Sequence, residues 1–163
     1  MVCDVPRYVV VSSTAVTRPK SLGYAFTNVY GNIMAEKDLG ERGVRAAFAG
    51  AKGTYTILRP GGLEEPKKNV VQGPAALELS QGDVLAGIVS RADLAEVAVE
   101  AAALGAEAPL RAASFELYYA ASAQPCEGKF KAFLDDPSFR LRGDTYADLF
   151  RAVRRDGDYA VPA

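Results

Sequence analysis

Two apolar, β-branched runs separated by a helix-length segment constrain this chain more than any other feature. Arg7 followed by Tyr8-Val9-Val10-Val11-Ser12 reads as a strand, and Thr54-Tyr55-Thr56-Ile57-Leu58 as a second. A long helix is expected between them over residues 29–49, stopped by Gly50-Ala51-Lys52-Gly53, since glycine just past the last helical residue is a common terminator. A strand–helix–strand run of this length demands a parallel, right-handed crossover. Continuous apolar strands suit a parallel sheet covered on both faces. The fold class is therefore α/β, with one domain spanning residues 1–163. Open sheets of this kind place their ligands beyond the carboxyl ends of the strands. Ser12-Ser13-Thr14 follow the first strand there, and Arg59-Pro60-Gly61-Gly62-Leu63 follow the second.

The remaining segments extend this plan. Residues 16–24 hold Pro19 and Gly23 and are expected to loop. In the long helix, Val29, Ile33, Gly40, Val44 and Ala47 share one face, with Glu36, Asp38, Glu41 and Arg45 elsewhere. Gly31, Gly40 and Gly43 each weaken a helix by about 1 kcal/mol against Ala and are read as points of close packing on the sheet. Residues 63–74 form an exposed polar loop, residues 76–79 a short strand, and Gln81-Gly82-Asp83 a turn before residues 84–89. Ser90 is the expected N-cap of a helix whose stripe is Leu94, Val97, Ala98, Ala101 and Leu104; Asp93 completes its start signal and Gly105 ends it. Ala113 to Tyr118 read as a third main strand. Short helices follow near residues 127–134 and 144–154, the latter capped by Asp144 with a face of Tyr146, Leu149, Phe150 and Val153.

Composition removes whole classes of chemistry. The chain has no histidine, which excludes Ser-His-Asp and Cys-His catalysis and most zinc sites. Cys3 and Cys126 are isolated and read as free thiols, so no metal site is expected. A net charge of −1 gives no general pull towards nucleic acid or anionic membrane. No apolar run approaches the roughly 20 residues of a membrane helix, and the first residues carry no leader pattern. A soluble intracellular protein is expected, cytoplasmic or in the plastid stroma. Lys67-Lys68 and Arg154-Arg155 read as solvated charge, and Arg91 with Asp93 as structural support for their helix start.

Four segments in order, Val9-Val10-Val11-Ser12-Ser13, Tyr30-Gly31-Asn32-Ile33-Met34-Ala35-Glu36-Lys37 with Gly40-Glu41, Tyr55 through Leu63, and Ile88-Val89-Ser90-Arg91-Ala92-Asp93-Leu94-Ala95, resemble the carboxyl-terminal half of an atypical short-chain dehydrogenase/reductase. More narrowly, they are similar to the NmrA-like NAD(P)-binding proteins. The resemblance covers roughly residues 7–120. It implies a Rossmann-like three-layer fold and a nicotinamide cofactor, NADP or NAD. It also implies that Lys37 binds the nicotinamide ribose, that Ser12 or Ser13 lies beside the nicotinamide with Ser13 the serine on the substrate side, and that the nicotinamide amide rests against Pro60, Gly61 and Gly62. The small-molecule substrate is unspecified.

The resemblance further implies a missing piece, because the glycine-rich loop and four strands of the family precede the position of Arg7. No G-x-G-x-x-G or G-x-x-G-x-x-G occurs in these 163 residues. The chain is thus expected to be a carboxyl-terminal fragment with a partial parallel sheet, or to work with a partner chain that supplies the missing half. Hydride-transferring relatives also carry Tyr-x-x-x-Lys, one helical turn bringing the phenol within about 6 Å of the lysine along the axis. Here Ile33 holds that place, and it cannot donate a proton. Tyr30 lies two turns from Lys37, about 10 Å along the axis, and reads as a packing or substrate-shelf residue. An oxidoreductase is the first expectation. A non-catalytic NADP redox sensor or interaction protein, or an inactive truncated fragment, is the alternative.

Overall fold

A computed structural model describes residues 5–29, 31–104 and 110–160. Cys3, Tyr30 and Gly105 lie outside these. A four-stranded sheet organises the chain. Its strands are β1 (Arg7–Val11), β2 (Thr54–Pro60), β4 (Leu77–Ser80) and β7 (Ala113–Tyr119), in the order β1-β2-β7-β4. β1, β2 and β7 run parallel, and β4 pairs antiparallel with β7. The crossover from β1 to β2 carries helices α1 (Leu22–Asn28) and α2 (Ile33–Phe48). Two-residue strands β3 (Gly62–Leu63) and β6 (Ile88–Val89) pair with each other, as do β5 (Leu85–Ala86) and β8 (Gln124–Pro125). Helix α3 (Arg91–Leu104) leads into the segment before β7, and α4 (Tyr146–Arg151) lies near the end. The chain is thus an α/β protein with a mixed, mostly parallel sheet. No helix of the described residues is long and apolar enough to cross a membrane.

Alternate strand residues point to opposite faces of a sheet, and here the two faces differ in kind. On one, Leu58, Phe115, Leu117, Leu77 and Leu79 pack with Leu94, Val97 and Ala101 of α3 and with Leu149, Phe150 and Val153 near α4. That face is an ordinary apolar core. Ser90 Oγ accepts from Asp93 N at 3.0 Å and Asp93 in turn accepts from Tyr119 Oη at 2.6 Å, so the start of α3 is capped and tied to β7. Arg7 closes the other end, its guanidinium donating to the carbonyls of Ala102 and Ala103, where a cation also meets the negative end of the helix dipole.

The face beneath α2 is built from charge. Arg59 is 5% exposed, Glu41 1% and Glu116 0%. Arg59 donates to both oxygens of Glu41, Nε to Oε1 at 3.0 Å and Nη2 to Oε2 at 2.7 Å, and more weakly to Glu116 Oε1 at 3.3 Å. Ser80 Oγ donates to the other Glu116 oxygen at 3.0 Å. Beside this cluster, Asp156 Oδ2 accepts from Arg45 Nε, Ser114 Oγ and Tyr55 Oη at 2.9, 2.7 and 3.0 Å. Burial works against the charge on Glu41 and is the largest single influence, but the Arg59 fork, with Arg45 and Ser12 close by, outweighs it and holds that carboxyl below its ordinary value. Glu116 goes the other way. Burial first, then the nearby charge of Asp83, push its carboxyl up to about 8, because Arg59 directs its two better bonds at Glu41.

Several expectations are corrected by this arrangement. The long helix begins at Ile33, not Val29; Gly31 and Asn32, at φ 103° and 58°, break the chain between α1 and α2. Its buried side carries Met34 and Glu41 rather than the apolar set, and Val29 is 76% exposed. The reason is complementarity: the sheet beneath offers Arg59, so the acidic side of α2 turns inward. Gly40 and Gly43 do not pack closely on the sheet, since an added Cβ would meet nothing within 4 Å at either. The expected loop over residues 16–24 ends earlier, as Ser21 Oγ accepts from Tyr24 N and starts α1. Thr145, not Asp144, caps α4, accepting from Asp148 N.

Removing Arg59 leaves Glu41 buried without its main partner. Arg59→Leu is expected to cost about 3–5 kcal/mol in urea unfolding, and the paired Arg59→Leu/Glu41→Leu change clearly less. Glu116 makes stability depend on pH. Its folded value of about 8 lies above the ordinary 4.5, so its contribution is full below that ordinary value and is lost as pH rises through 8. The melting temperature should fall between about pH 4.5 and 8, at no more than roughly 1.4 kcal/mol of stability per pH unit from this group. Glu116→Gln should flatten that fall; an unchanged slope in the variant sinks the assignment.

Candidate functional site

The carboxyl ends of β1 and β2 lie side by side and their backbones remain joined beyond the strands. Ser12 N donates to Leu58 O at 2.7 Å and Thr14 N to Pro60 O at 3.0 Å. A cleft of about 700 Å³ opens above them, within the range of small-molecule sites. Ser13, Gly61 and Gly62 line it together with Leu22 and Phe26 of α1, and Gln124 to Gly128 form the far wall. Among the sequence-derived candidates, Ser13, Gly61 and Gly62 therefore share one cavity. Ser13 is half-buried, and its hydroxyl donates to Thr14 O at 3.2 Å.

Ser12, Lys37 and Pro60 stand beside the cleft rather than in its wall. Pro60 is buried at the end of β2. Lys37 extends from α2 to the end of β1, where its Nζ donates to Ser12 O at 3.1 Å and Val11 O at 3.4 Å. Burial lowers its pKa, against an opposing pull from Glu41. Ser12 is 5% exposed, and its hydroxyl oxygen has no partner of good hydrogen-bond geometry, although it lies near enough to Glu41 to help hold that carboxyl down. A buried hydroxyl without a partner has bonding capacity left for a ligand.

The glycine turn after β2 has a structural demand of its own. Gly61 N donates to Leu117 O at 3.0 Å and Gly62 N to Gly87 O at 2.8 Å. A Cβ on Gly61 would stand 2.1 Å from Gly87 O, and one on Gly87 would stand 2.5 Å from Ser122 Oγ. The cleft floor is thus two backbones in direct contact, which only glycine permits.

Sequence reasoning missed the residue that shapes the β1 side of the cleft. Asp83 is fully buried, with φ 57°. Its Oδ1 accepts from Ala15 N at 2.5 Å, and its Oδ2 from Thr17 N and Oγ1, both at 2.8 Å. Arg18 continues the clasp, donating to Asp83 O at 3.1 Å and Gly82 O at 2.6 Å while lying over the Phe130 ring. The loop after β1 is thereby fastened to the Gln81-Gly82-Asp83 turn. The turn itself is legible, but nothing in it names the distant loop as its partner. Cys126 also lines the cleft, and burial, then Asp83 and Glu116, push its thiol up, which keeps it a thiol and a poor nucleophile at neutral pH. No group of three or more Cys, Asp or Glu among the described residues is placed to hold a metal ion.

A family model described as NAD(P)H-binding matches residues 3–103. Solved structures with a similar course include ChuY of E. coli strain CFT073, at 23% identity and a TM-score of 0.47, covering 68% of this chain and 55% of that one. A short-chain dehydrogenase/reductase (wide type) from Veillonella parvula DSM 2008, solved in complex with NADP, is 22% identical with a TM-score of 0.44, covering 68% of this chain and 49% of that one. The oxidoreductase YlbE of Lactococcus lactis is 12% identical with a TM-score of 0.47, covering 78% and 51%. The chain spans about half the length of these structures. No curated protein matches it.

The two glycines of the turn should respond differently to alanine. Gly61→Ala must push the β3–β6 ribbon away from β2 and is expected to cost about 1–3 kcal/mol, as overpacking does. Gly62→Ala meets Ile88 Cγ2 at 3.5 Å and Gly87 O at 3.8 Å, both ordinary contacts, and should cost less than about 1 kcal/mol. Chemical denaturation of both variants reads the difference, and equal costs would refute the backbone contact as the reason for Gly61.

Proposed function

The chain belongs to the NAD(P)H-binding family, and from that premise we propose that it forms the nicotinamide side of the site of an NAD(P)-dependent oxidoreductase of the atypical short-chain type. The observation that carries this reading is the meeting of α2 with the end of β1: Lys37 Nζ lies 3.1 Å from Ser12 O, beside a cleft of about 700 Å³ that holds Ser13, Gly61 and Gly62. The buried, unpartnered Ser12 hydroxyl and the half-buried Lys37 ammonium are donors of the kind that ribose and amide oxygens require. Bound there, NADP or NAD would supply a hydride-carrying ring. Lys37 would hold the ribose hydroxyls, with Ser12 next to it. The turn of Pro60, Gly61 and Gly62 would meet the carboxamide, and Ser13 would turn its hydroxyl from Thr14 O to polarise a carbonyl or alkene substrate.

A second reading, a non-catalytic NADP-responsive binder, is favoured by Ile33. It stands one helical turn before Lys37 and is 39% exposed, an alkyl group where a proton donor would be needed.

Fluorescence titration with NADPH tests the common part. Saturable binding tighter than about 1 mM is expected. Lys37→Met should weaken it about tenfold or more, the loss of charge-assisted hydrogen bonds being of that size. No saturable signal from the native chain overturns both readings. With binding established, consumption of NADPH across a panel of carbonyl compounds separates an enzyme from a binder.

A further inference from the structure

One guanidinium closes the far wall of the cleft from outside it. The wall, Gln124 to Gly128, is the crest of an excursion that leaves the end of β7 at Ala120 and turns back through the helical turn Gly128–Leu134. At the crest it is held by the short β5–β8 ladder and by Cys126 N, which donates to Val84 O at 2.8 Å. At its two feet it is held by Arg140, which does not itself line the cleft. Nη2 donates to Ala120 O at 3.2 Å and Nη1 to Leu134 O at 2.9 Å, while Nε donates to Glu78 Oε1 at 2.7 Å. A guanidinium is planar and presents its donors in a rigid fork. The separation of the two feet is therefore fixed by one rigid group, anchored on a fully buried carboxylate of β4.

The grip reaches the wall through an aromatic column. Phe139, next to Arg140, stacks on Phe133 at 4.2 Å between ring centroids, and Phe133 stacks on Phe130 at 5.8 Å. Phe130 is buried with Val84, Leu85 and Tyr118, and Cys126 of the wall packs against that group. Arg18, which clasps the loop after β1 to Gly82 and Asp83, lies over the Phe130 ring at 4.7 Å. Both walls of the cleft thus bear on one ring, and the column behind that ring ends beside Arg140. Arg142 supplies an internal comparison. Its Nε donates to the other Glu78 oxygen at 2.6 Å, and among the described residues it donates to no carbonyl of residues 120–134.

We propose that Arg140 is a positioning residue for the substrate side of the cleft: by fixing the feet of residues 120–134, it sets how far the Gln124–Gly128 wall stands from Ser13 and the glycine floor. This rests on the reading of the cleft as the substrate side of a nicotinamide site. A site on loops keeps its shape only if the groups behind the loops are locked, and here the lock is outside the cavity. The cofactor contacts are separate from it, since Lys37 and Ser12 meet at the end of β1 and none of the three Arg140 bonds goes there. Loss of Arg140 therefore loosens one wall and spares the other partner of the site. It also leaves Glu78 paired with Arg142, so the buried carboxylate is not abandoned.

Alkylation of Cys126 by iodoacetamide, followed by mass spectrometry in a Cys3→Ser background, reads the wall directly, because a thiol held in apolar surroundings reacts slowly. Arg140→Gln is expected to raise the rate about tenfold or more while the circular dichroism spectrum stays folded. Arg140→Lys keeps the charge beside Glu78 but not the fork, and its rate should fall between. Arg142→Gln breaks the same ion-pair cluster without touching the excursion, and should leave the rate within about twofold of native. A role confined to pairing Glu78 would move the two glutamine variants alike. Equal rates in those two, or an Arg140→Gln rate that matches native, overturns the proposal. Should Arg140→Gln lose its folded spectrum, Arg140→Lys is set against Arg142→Gln in its place. Titration of the same variants with NADPH keeps the clamp apart from its premise. An affinity within about twofold of native is expected throughout, and a folded Arg140→Gln that loses NADPH overturns the proposal. A native chain that binds no NADPH overturns the cleft's assignment to a substrate, while the alkylation rates, measured without cofactor, still judge the clamp.

Discussion

One guanidinium holds the polar layer of this protein together. Arg59 sits between a helix carboxylate and a strand carboxylate, all nearly inaccessible to water. Buried charge in such a place is tolerable only if it is paired and its hydrogen bonds are matched. The match fixes which side of α2 meets the sheet, the height of α2 above β2, and the side of β7 that faces it. From there the consequences run to the site. With Glu41 anchored on Arg59, Lys37 lies one turn earlier on the same helix and reaches the end of β1. The arm that reaches Ser12 is aimed by an ion pair deeper in the sheet.

The cleft is assembled on the same logic of distant ties. Its floor is the Gly61–Gly87 backbone contact, and its β1 wall is hung from Asp83. Neither tie is made within a regular helix or strand. Both depend on loops at strand ends being held by fixed donors and acceptors, which lets a site on loops keep its shape. By contrast α1, which supplies Leu22 and Phe26 to the cleft, buries none of its residues, and is the part of the wall with the least packing to restrain it.

The βαβ unit was legible in the sequence because its signals are local. Val9-Val10-Val11 could only be a strand, Gly50 only a stop, and the Ser90–Asp93 pair a cap, which is how each appears. The gathering of Ser13, Gly61 and Gly62 was legible too, since strand ends in a parallel sheet fall on one side. What stayed hidden was every feature set by a partner far along the chain. Hydrophobicity alone turns Glu41 and Arg45 of α2 to solvent; only the presence of Arg59, Glu116 and Asp156 opposite reverses that. Gly61 reads as room for a ligand until Gly87 is found against it. α1 has too few residues, and none buried, to show a periodic stripe.

Glu116 carries a consequence of another kind. A carboxyl that titrates near 8 when folded and near 4.5 when free draws about one proton from solution as the chain folds at neutral pH. The folding reaction thus has the solvent proton as a reactant. Its heat, measured in two buffers of different ionisation enthalpy, will differ by close to the difference between those enthalpies, a signature that belongs to the sheet interior rather than to any ligand.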